Sequence, residues 1–303
     1  MPSRRAILQW GGLAVGSIML RRRASAANDS NISRKIPSSG EALPVVGLGS
    51  SHTFDVTSAA AQAEVNAVMG DFARLGGRLV DSSPMYGAAE TAIGNAVSQL
   101  DLAKRLFLAT KVWTTGREAG IEQAKESMRR MRTQKFDLLQ VHNLVDVDTH
   151  LKWLKEWKQQ GLVRYVGVTH SSDSAHASLE KQVTSRQLDF VQLNYSIAER
   201  AVEERLLPAA LASGVAVMAN RPFARANLFE RVRGRTLPDW ASEFDATSWA
   251  QFFLKYILAH PAVTCVIPAT RDVKHLADNM QAGRGKLPDE KMRRRMVDLL
   301  SSL

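Results

Sequence analysis

One segment of the chain reads Gly76-Gly77-Arg78-Leu79-Val80-Asp81-Ser82-Ser83-Pro84-Met85-Tyr86-Gly87-Ala88-Ala89-Glu90. It contains a short apolar run that predicts a buried strand, a turn rich in Ser, Pro and Gly, and the beginning of a helical pattern. Asp81 is therefore predicted at the carboxyl end of a strand, and Tyr86 on the loop that follows. In a parallel barrel, catalytic residues lie at the carboxyl ends of the strands. An Asp that caps the next helix and a Tyr that packs in a turn are the simpler alternatives.

Short apolar runs alternate with longer helical patterns along the rest of the chain. Eight strand-like runs cover residues 44–49, 78–81, 106–111, 136–142, 163–169, 190–194, 215–220 and 263–268. The helical patterns cover residues 58–75, 88–100, 120–131, 149–160, 174–183, 203–213, 247–259 and 272–281. Eight alternations favour an α/β (β/α)8 TIM barrel of one domain over a doubly wound sheet. No third glycine completes a G-x-G-x-x-G motif after Gly47 and Gly49, which disfavours a Rossmann domain.

The composition is that of an ordinary globular protein, with 45% hydrophobic and 23% charged residues among 303. This length suits one (β/α)8 barrel, which takes about 250 residues, or two small domains. The chain has one cysteine, Cys265, which excludes an internal disulfide framework and a cysteine-rich metal site. Cys265 lies in an apolar run and is interpreted as an inert core residue.

The formal net charge of +10 is partly local, and we do not expect nucleic-acid binding. Residues 1–26 contain five arginines and no acidic residue, which leaves 35 basic and 30 acidic side chains in the rest of the chain. Part of the remaining excess lies near the C-terminus, at Lys291 and at Arg293 to Arg295, which we interpret as a solvated helix face.

The first 26 residues resemble a twin-arginine export signal. Arg4 and Arg5 precede a weakly apolar run that is too short to span a bilayer, which needs about 20 residues. Three arginines end this run, and Ala24-Ser25-Ala26 forms a small-residue cleavage pattern. We predict a signal peptide at 1–26, a polar linker at 27–36 and a barrel domain at 37–303. The twin-arginine export machinery would carry the folded protein to the periplasm, without stable membrane insertion after cleavage. An uncleaved basic arm on a cytoplasmic protein is the alternative.

Two further strands are predicted to end in polar residues. Residues 106–111 are apolar up to Lys111, and residues 138–142 end in His142 in the same way. Taken alone, each has a structural explanation. The lysine can extend from the barrel rim, and the histidine can bond to neighbouring backbone.

Together with the opening segment, these residues resemble the aldo-keto reductase family. The family signature D-(S/T)-x-x-x-Y-G-x-x-E matches residues 81–90, and the resemblance extends over residues 44–279. The positions that match the catalytic tetrad of the family are Asp81, Tyr86, Lys111 and His142. The resemblance implies a TIM-barrel oxidoreductase that reduces an aldehyde or ketone to an alcohol with NADPH.

The residue types suit this chemistry. Hydride transfer to a carbonyl carbon builds negative charge on the oxygen, so a proton donor must lie within hydrogen-bond reach. The resemblance implies that Tyr86 is the general acid and that the Lys111 ammonium group stabilises its phenolate. Asp81 would pair with Lys111, and His142 would donate to the carbonyl oxygen as an oxyanion-hole donor does. The hydride would come from a nicotinamide.

The resemblance also implies contacts for the nicotinamide. The polar pair after the fifth strand is Thr169-His170, where the family usually has Ser-Asn. Gln192 matches the glutamine that completes the contact with the nicotinamide amide. After the seventh strand the family usually stacks an aromatic ring on the nicotinamide, but this chain has Asn220 there, and Arg221 beside it is the candidate replacement.

Residues 267–279 resemble the family motif for the adenosine phosphate. Thr270 and the N-terminus of the following helix suit an anion. Arg271 and Lys274 are the available cations for a 2′-phosphate, which favours NADPH over NADH. Ordinary helix-surface charge is the alternative for both. Asp278 and Asn279 stand where the family places its adenine contacts.

Three residues are candidates for substrate contacts. Trp113 matches an aromatic residue that lines the pocket in many members of the family, and His52 and Phe54 lie on the loop after the first strand. The connection of residues 222–248 is long for a barrel rim and carries four arginines. Long rim loops are usually lids or binding loops. Whether this one covers the cofactor, gathers an anionic substrate or does neither is left open by the sequence.

Two other functions are possible for a barrel of this kind. A metal-dependent hydrolase on the same barrel needs clustered ligands such as His-x-His at a strand end, and none of the seven histidines is so placed. We therefore expect no metal. The second alternative is a reductase-like barrel without turnover that serves as a nicotinamide-binding redox sensor or partner subunit. The complete tetrad disfavours it, whereas the departures at His170 and Asn220 favour it.

Overall fold

The computed structural model describes residues 30–185 and 188–303. The predicted signal peptide, residues 1–26, lies outside these ranges, as does the first part of the predicted linker. Within the two described ranges, no helix has the length and apolar character that a membrane crossing requires.

Eight parallel strands form the central sheet, each bonded to the next along the chain. The strands of the described residues are β1 (Ser33–Lys35), β2 (Ala42–Pro44), β3 (Leu48–Gly49), β4 (Leu79–Asp81), β5 (Phe107–Val112), β6 (Phe136–His142), β7 (Val163–His170), β8 (Phe190–Asn194), β9 (Ala216–Asn220) and β10 (Val263–Val266). Parallel bridges from Val46 to Val266 and from Gly49 to Ala269 join the two ends of the β3–β10 sheet and close it into a barrel.

A helix follows each of the eight barrel strands. The helices of the described residues are α1 (Ala59–Arg74), α2 (Ala89–Gln99), α3 (Arg117–Arg130), α4 (Val147–Gln159), α5 (His176–Thr184), α6 (Leu206–Ser213), α7 (Asn227–Arg231), α8 (Trp249–Leu258), α9 (Val273–Gln281) and α10 (Glu290–Ser301). Ser58 and Ser248 cap α1 and α8 with hydroxyl oxygens that accept backbone N–H groups. The predicted single-domain (β/α)8 TIM barrel is confirmed, and β6 and β8 have the predicted bounds.

Apolar side chains fill the barrel interior and the layer between sheet and helices. The interior is packed by buried residues that include Leu79, Phe107, Leu138, Phe190 and Met218. In the outer layer, Trp153 and Trp157 of α4 pack with ring centroids 5.0 Å apart, as their spacing predicts. Cys265 is fully buried, and burial raises the pKa of its thiol, which agrees with its interpretation as an inert core residue.

An antiparallel hairpin of β1 and β2 closes the N-terminal end of the barrel. Ile36 packs among the interior side chains, and the Tyr165 hydroxyl donates to Glu41 Oε2 at 2.8 Å. The segment 27–36, expected to be a polar linker, therefore overlaps the folded domain. Its residues Ser33–Lys35 form a strand because β2 supplies backbone partners for them.

The C-terminal helix α10 is not wholly a solvated face. Lys291 and Arg294 are exposed, but Arg293 is 7% exposed. Its Nη2 donates to Glu203 Oε1 at 2.7 Å and to the Tyr195 hydroxyl at 2.8 Å. The interpretation of the basic tail as solvated is therefore wrong for Arg293. Charges shielded from water attract each other more strongly than exposed ones, so this contact connects α10 to the barrel.

Arg293→Ala is expected to lower the free energy of unfolding by about 2–4 kcal/mol, because it leaves the Glu203 carboxylate without its cation. Arg294→Ala is the matched control, since the Arg294 side chain is 65% exposed and pairs with Glu290 of the same helix. We expect that control to change stability by less than about 0.5 kcal/mol. Urea denaturation measures the free energy of unfolding of both variants. Equal losses of stability would show that the shielded pair of Arg293 and Glu203 contributes no more than an exposed pair.

Candidate active site

Four polar side chains meet at the carboxyl ends of three neighbouring strands. Asp81 ends β4, Lys111 is the penultimate residue of β5, and His142 ends β6. Tyr86 lies on the loop between β4 and α2. Because β4 pairs with β5 and β5 with β6 in parallel, their carboxyl ends lie at one edge of the barrel. The structure thus brings together the three residues that the sequence places at strand ends and the tyrosine that it places on a following loop.

Asp81 and Lys111 form a buried ion pair. Lys111 is fully buried, and its Nζ donates to Asp81 Oδ2 at 2.7 Å and to the carbonyl oxygen of Ser82 at 2.6 Å. Asp81 Oδ1 accepts from Gln192 Nε2 at 3.1 Å and from Gln140 Nε2 at 3.4 Å. Every oxygen of the carboxylate therefore has a donor, as burial of a charge requires.

Tyr86 lies next to this ammonium group. Its ring is half-buried, and the ring centroid is 5.3 Å from Lys111 Nζ. Burial by itself lowers the pKa of Lys111, but attraction to Asp81 and Tyr86 outweighs burial and raises that pKa. The site therefore keeps a positive charge beside the phenol at neutral pH.

Gly87 gives the loop the backbone conformation that places Tyr86 beside Lys111. Gly87 has a φ of +58°, and a Cβ there would lie 2.2 Å from Asp55 Oδ1. The same carboxylate oxygen accepts from the Ala88 N–H group at 2.8 Å. Only glycine meets both the positive φ and the close approach, which explains the glycine that follows the tyrosine in the signature.

His142 is a buried, neutral imidazole. Its Nδ1 lies 3.0 Å from Ser83 Oγ. Burial, followed by the positive charge of Lys111 and the proximity of His170, lowers the pKa of His142 to about 3. Its ring meets that of Tyr86 edge-on, with centroids 6.0 Å apart. A neutral imidazole carries one N–H group, so His142 can donate one hydrogen bond.

The neutral state of His142 predicts a loss of stability in acid. An unfolded histidine takes up a proton below about pH 6.5, whereas in the folded chain the His142 pKa is about 3. The neutral imidazole therefore contributes fully to the free energy of unfolding above the pKa of an unfolded histidine. This contribution is lost as the pH falls toward the pKa of His142 in the folded chain. We expect His142→Gln to reduce the difference in unfolding free energy between pH 7 and pH 4 by on the order of 3 kcal/mol. Urea denaturation at the two pH values measures it, and an unchanged difference would contradict the buried neutral imidazole.

Glu90, which ends the signature, has a structural role. It is fully buried and accepts from Thr110 Oγ1 at 2.6 Å and from Ser127 Oγ at 3.1 Å. Burial raises the pKa of the Glu90 carboxyl above its usual value. These contacts connect α2 to β5 and α3, and so hold the strand that carries Lys111 against the helix that follows Tyr86.

Three residues predicted to contact a nicotinamide form a hydrogen-bonded row beside Asp81. Gln192 Oε1 accepts from Thr169 Oγ1 at 2.9 Å and from Asn220 Nδ2 at 3.3 Å, while Gln192 Nε2 donates to Asp81. Because a carboxylate only accepts, Asp81 determines which end of the Gln192 amide faces it. This in turn directs the NH2 group of Asn220 toward Gln192. Asn220 Oδ1 is then buried without a hydrogen-bonding partner among the described residues.

His170 and Arg221 lie near this row. The half-buried His170 accepts from the Ser172 N–H group at 3.2 Å through Nδ1. Burial and the charge of Arg221 lower the pKa of His170. Arg221 has a φ of +51° and is within electrostatic reach of Tyr86. A residue other than glycine in this backbone region is uncommon and occurs often at functional sites.

The N-terminus of α9, predicted to hold a phosphate, is already capped. Asp272 Oδ1 accepts the N–H groups of Lys274 at 2.6 Å and His275 at 3.4 Å. Thr270 is buried, and its Oγ1 accepts from the Asp272 N–H group at 3.0 Å. The Asp272 carboxylate therefore bonds to the helix end at which the sequence predicts an anion to bind.

The remaining residues predicted for the adenosine part lie along α9. Arg271 Nε pairs with Glu64 Oε2 at 2.7 Å, and Lys274 is exposed. Asp278 accepts from Ser248 Oγ at 2.7 Å and from Gln251 Nε2 at 2.6 Å, so its carboxylate connects α9 to α8. Asn279 is buried.

Of the three predicted substrate residues, Trp113 borders the site. Trp113 is 42% exposed, with its ring centroid 6.5 Å from that of His142. His52 is exposed on the loop after β3. Phe54, by contrast, is fully buried in the hydrophobic core. The prediction that Phe54 forms a wall of the pocket is wrong, because apolar packing around the ring leaves it no free surface.

The long connection of residues 222–248 contains α7 and a 3-10 segment, Asp239–Phe244. Arg231 Nη2 donates to the Leu300 carbonyl oxygen at 2.5 Å, and Arg233 pairs with Glu230. Arg233 therefore makes a local contact, whereas Arg231 bonds the connection to α10.

Three polar neighbours of the tetrad were missed by the sequence analysis. Ser82 offers its carbonyl oxygen to Lys111, Gln140 its amide to Asp81, and Ser83 its hydroxyl to His142. For Gln140 a signal exists, because it lies two residues before His142 and so on the same side of β6. Ser83 carries no such signal, since its partner is 59 residues away in the sequence.

The site combines an ammonium group, a carboxylate, a phenol and a neutral imidazole. This set is suited to move a proton and to stabilise negative charge on an oxygen atom. In the part of the chain that the structure describes, no group of three or more His, Cys, Asp or Glu side chains is placed to hold a metal ion.

Comparisons with known proteins agree with this fold. Residues 45–296 match the model of the Aldo/keto reductase family. Methylglyoxal reductase YeaE of Escherichia coli K12 is 27% identical over 245 residues, which cover 78% of this chain and 84% of that protein. Pyridoxine 4-dehydrogenase of the same organism is 27% identical over 236 residues, which cover 71% of this chain and 80% of that protein. An aldo-keto reductase from Klebsiella pneumoniae, solved in complex with NADPH, has a TM-score of 0.74 at 23% identity over 89% of this chain and 95% of that chain.

Proposed function

Because the chain belongs to the aldo/keto reductase family, we propose that it reduces the carbonyl group of an aldehyde or ketone to an alcohol, with NADPH as the hydride donor. The observation that carries this proposal is the fully buried Lys111, paired with Asp81 and 5.3 Å from the Tyr86 ring centroid, with the neutral His142 beside it. The NADPH complex of the Klebsiella pneumoniae enzyme supports the choice of cofactor.

In this mechanism Tyr86 is the general acid. NADPH, when bound, supplies the hydride to the carbonyl carbon. As negative charge develops on the carbonyl oxygen, Tyr86 gives it the phenolic proton, and the Lys111 ammonium group stabilises the phenolate that remains. Asp81 holds Lys111 in place. His142 donates to the same oxygen and so orients the carbonyl group and stabilises the developing charge.

The residues near Asp81 fit a nicotinamide. Asn220 Oδ1 is a buried acceptor without a partner among the described residues, and the amide N–H group of a nicotinamide is a donor of the kind that it lacks. Thr169 and Gln192 lie beside it in the hydrogen-bonded row. We infer that Asn220 replaces the aromatic stacking usual in the family with a hydrogen bond.

We assign the preference for NADPH to Arg271 and Lys274. Arg271 pairs with Glu64, but the two side chains are 41% and 57% exposed, and such a pair contributes at most about 1 kcal/mol. A 2′-phosphate can therefore displace the Glu64 carboxylate, because Arg binds phosphate in a bidentate manner.

Arg271→Ala is expected to raise the Kd of NADPH about tenfold and to leave the Kd of NADH within about twofold, because only NADPH carries the 2′-phosphate. Fluorescence titration with each cofactor measures both constants. Arg74→Ala is the control, since Arg74 is an exposed arginine that pairs with Asp71 within α1. Equal weakening of both cofactors by Arg271→Ala would place the 2′-phosphate elsewhere.

The activity is tested by carbonyl-dependent oxidation of bound NADPH. Methylglyoxal is the first substrate to assay, because relatives of this chain are methylglyoxal reductases, and a panel of aliphatic and aromatic aldehydes follows. We expect NADPH to bind and to be oxidised when a carbonyl compound is added. Tight binding of NADPH without turnover of any carbonyl compound would contradict the proposal.

We also propose that residues 1–26 direct the folded protein through the twin-arginine route to the periplasm, where a cofactor bound before export would accompany it. The support is the paired Arg4 and Arg5, the apolar run and the small-residue cleavage pattern. Cell fractionation tests this proposal. Wild-type protein found only in the cytoplasm would contradict it.

A further inference from the structure

The hydroxyl group of Ser83 contacts the imidazole of His142 in a fully buried place. Ser83 has no exposed surface, and its Oγ lies 3.0 Å from His142 Nδ1. The contact joins the loop that carries Tyr86 to the end of β6. Nothing in the proposed mechanism uses Ser83, although it touches one of the four central side chains.

The hydrogen atoms around Ser83 can be assigned from its partners. Ser83 Oγ accepts from the Met85 N–H group at 3.4 Å. Its own O–H group then needs an acceptor, and His142 Nδ1 is the acceptor within reach among the described residues. If Nδ1 carried a proton, the serine hydroxyl would be a buried donor without a partner, which costs about 1–3 kcal/mol. Ser83 therefore donates, and His142 Nδ1 accepts.

This assignment determines the position of the imidazole proton. His142 is neutral at physiological pH and so carries one N–H group, on either Nδ1 or Nε2. With Nδ1 as acceptor, the proton is on Nε2. In the described part of the chain, Nε2 has no hydrogen-bonding partner, whereas Nδ1 is occupied by Ser83. A donor is therefore presented on the side of the ring away from Ser83.

We propose that Ser83 is a positioning residue that holds His142 in the tautomer with the proton on Nε2, so that a substrate carbonyl oxygen always meets a donor. The inference rests on the proposed function for its catalytic consequence, but the assignment of the tautomer rests on the contacts of Ser83 and on the neutral state of the buried imidazole. An imidazole with the proton on Nδ1 would turn a lone pair toward the carbonyl oxygen and repel it.

The first test is nitrogen NMR on protein labelled at its histidines, with the His142 signals identified by their loss in His142→Gln. We expect wild-type His142 to show a protonated Nε2 and an unprotonated Nδ1. In Ser83→Ala the two nitrogens are expected to move toward averaged, mixed protonation, because Nδ1 loses the donor that selects the tautomer. Ser83→Thr keeps a hydroxyl group and is expected to retain the wild-type pattern.

The second test is steady-state kinetics with NADPH and a carbonyl substrate. Ser83→Ala is expected to lower kcat/KM about tenfold with an unchanged Kd for NADPH, and Ser83→Thr is expected to recover most of the loss. Ser127→Ala is the matched control for destabilisation, because Ser127 is also fully buried and bonds to Glu90 away from His142.

The outcomes separate the two proposals. A proton on Nδ1 in the wild type, or a tautomer and kcat/KM unchanged in Ser83→Ala, would overturn the role of Ser83. The tautomer can depend on Ser83 as expected while the wild type reduces no carbonyl compound. In that case Ser83 still selects the tautomer of His142, but the proposed function is wrong.

Discussion

Tyr86→Phe is expected to lower kcat for carbonyl reduction by about 10³-fold, while the Kd of NADPH changes by less than about twofold. The substitution removes the phenolic proton and leaves the ring, which keeps its edge-on contact with His142. The carbonyl oxygen then develops negative charge without the general acid that would protonate it. The ammonium group of Lys111 remains but has no phenolate to stabilise.

Fluorescence titration and steady-state kinetics on the same preparation measure the two quantities for Tyr86→Phe. His142→Gln is the comparison variant, since it removes the orienting donor and leaves the general acid in place. We expect it to lose less activity than Tyr86→Phe, about 10²-fold. If Tyr86→Phe kept more than a tenth of the wild-type kcat, another group would have to supply the proton.

Lys111→Met is expected to lower the free energy of unfolding by about 3–5 kcal/mol and to remove measurable carbonyl reduction. Lys111 is fully buried and is the cation that faces the Asp81 carboxylate, whose side chain is 3% exposed. Methionine has a similar length but no charge, so Asp81 would be left buried without its counter-ion. Tyr86 would also lose the positive charge beside its ring.

The double variant Lys111→Met, Asp81→Leu separates these two effects. Replacement of a buried ion pair by apolar residues of similar volume is often neutral, so we expect most of the lost stability to return. Activity is not expected to return, because the phenolate is still without a cation. Urea denaturation compares the single and double variants. If the double variant were no more stable than the single one, the other donors to Asp81, Gln192 and Gln140, would suffice for its carboxylate.

The barrel was predictable because its signals are local. A buried strand and an amphipathic helix differ in the period of their apolar residues, and this period can be read along a few consecutive positions. The placement of Asp81, Lys111 and His142 at strand ends follows from the same pattern, since a polar residue after an apolar run marks where the strand ends. Their convergence then follows from the parallel barrel.

The mistakes have a common origin. Arg293 has the sequence context of a solvated basic helix, and Phe54 that of a loop residue near the site, yet both are buried. In both cases burial depends on neighbours that a composition or a motif does not identify.

Local patterns in the sequence predicted the eight barrel strands and placed Asp81, Lys111 and His142 at strand ends, because periodicity and strand ends are properties of neighbouring residues. Which polar groups meet depends on the folded barrel. The contacts of Ser83 with His142, of Gln192 with Asp81 and of Arg293 with Glu203 join residues that are 59, 111 and 90 positions apart. Hydrogen bonds form only within about 3.5 Å, and a pKa shifts according to the charges and solvent around a group. Both therefore depend on how the closed barrel places distant residues side by side.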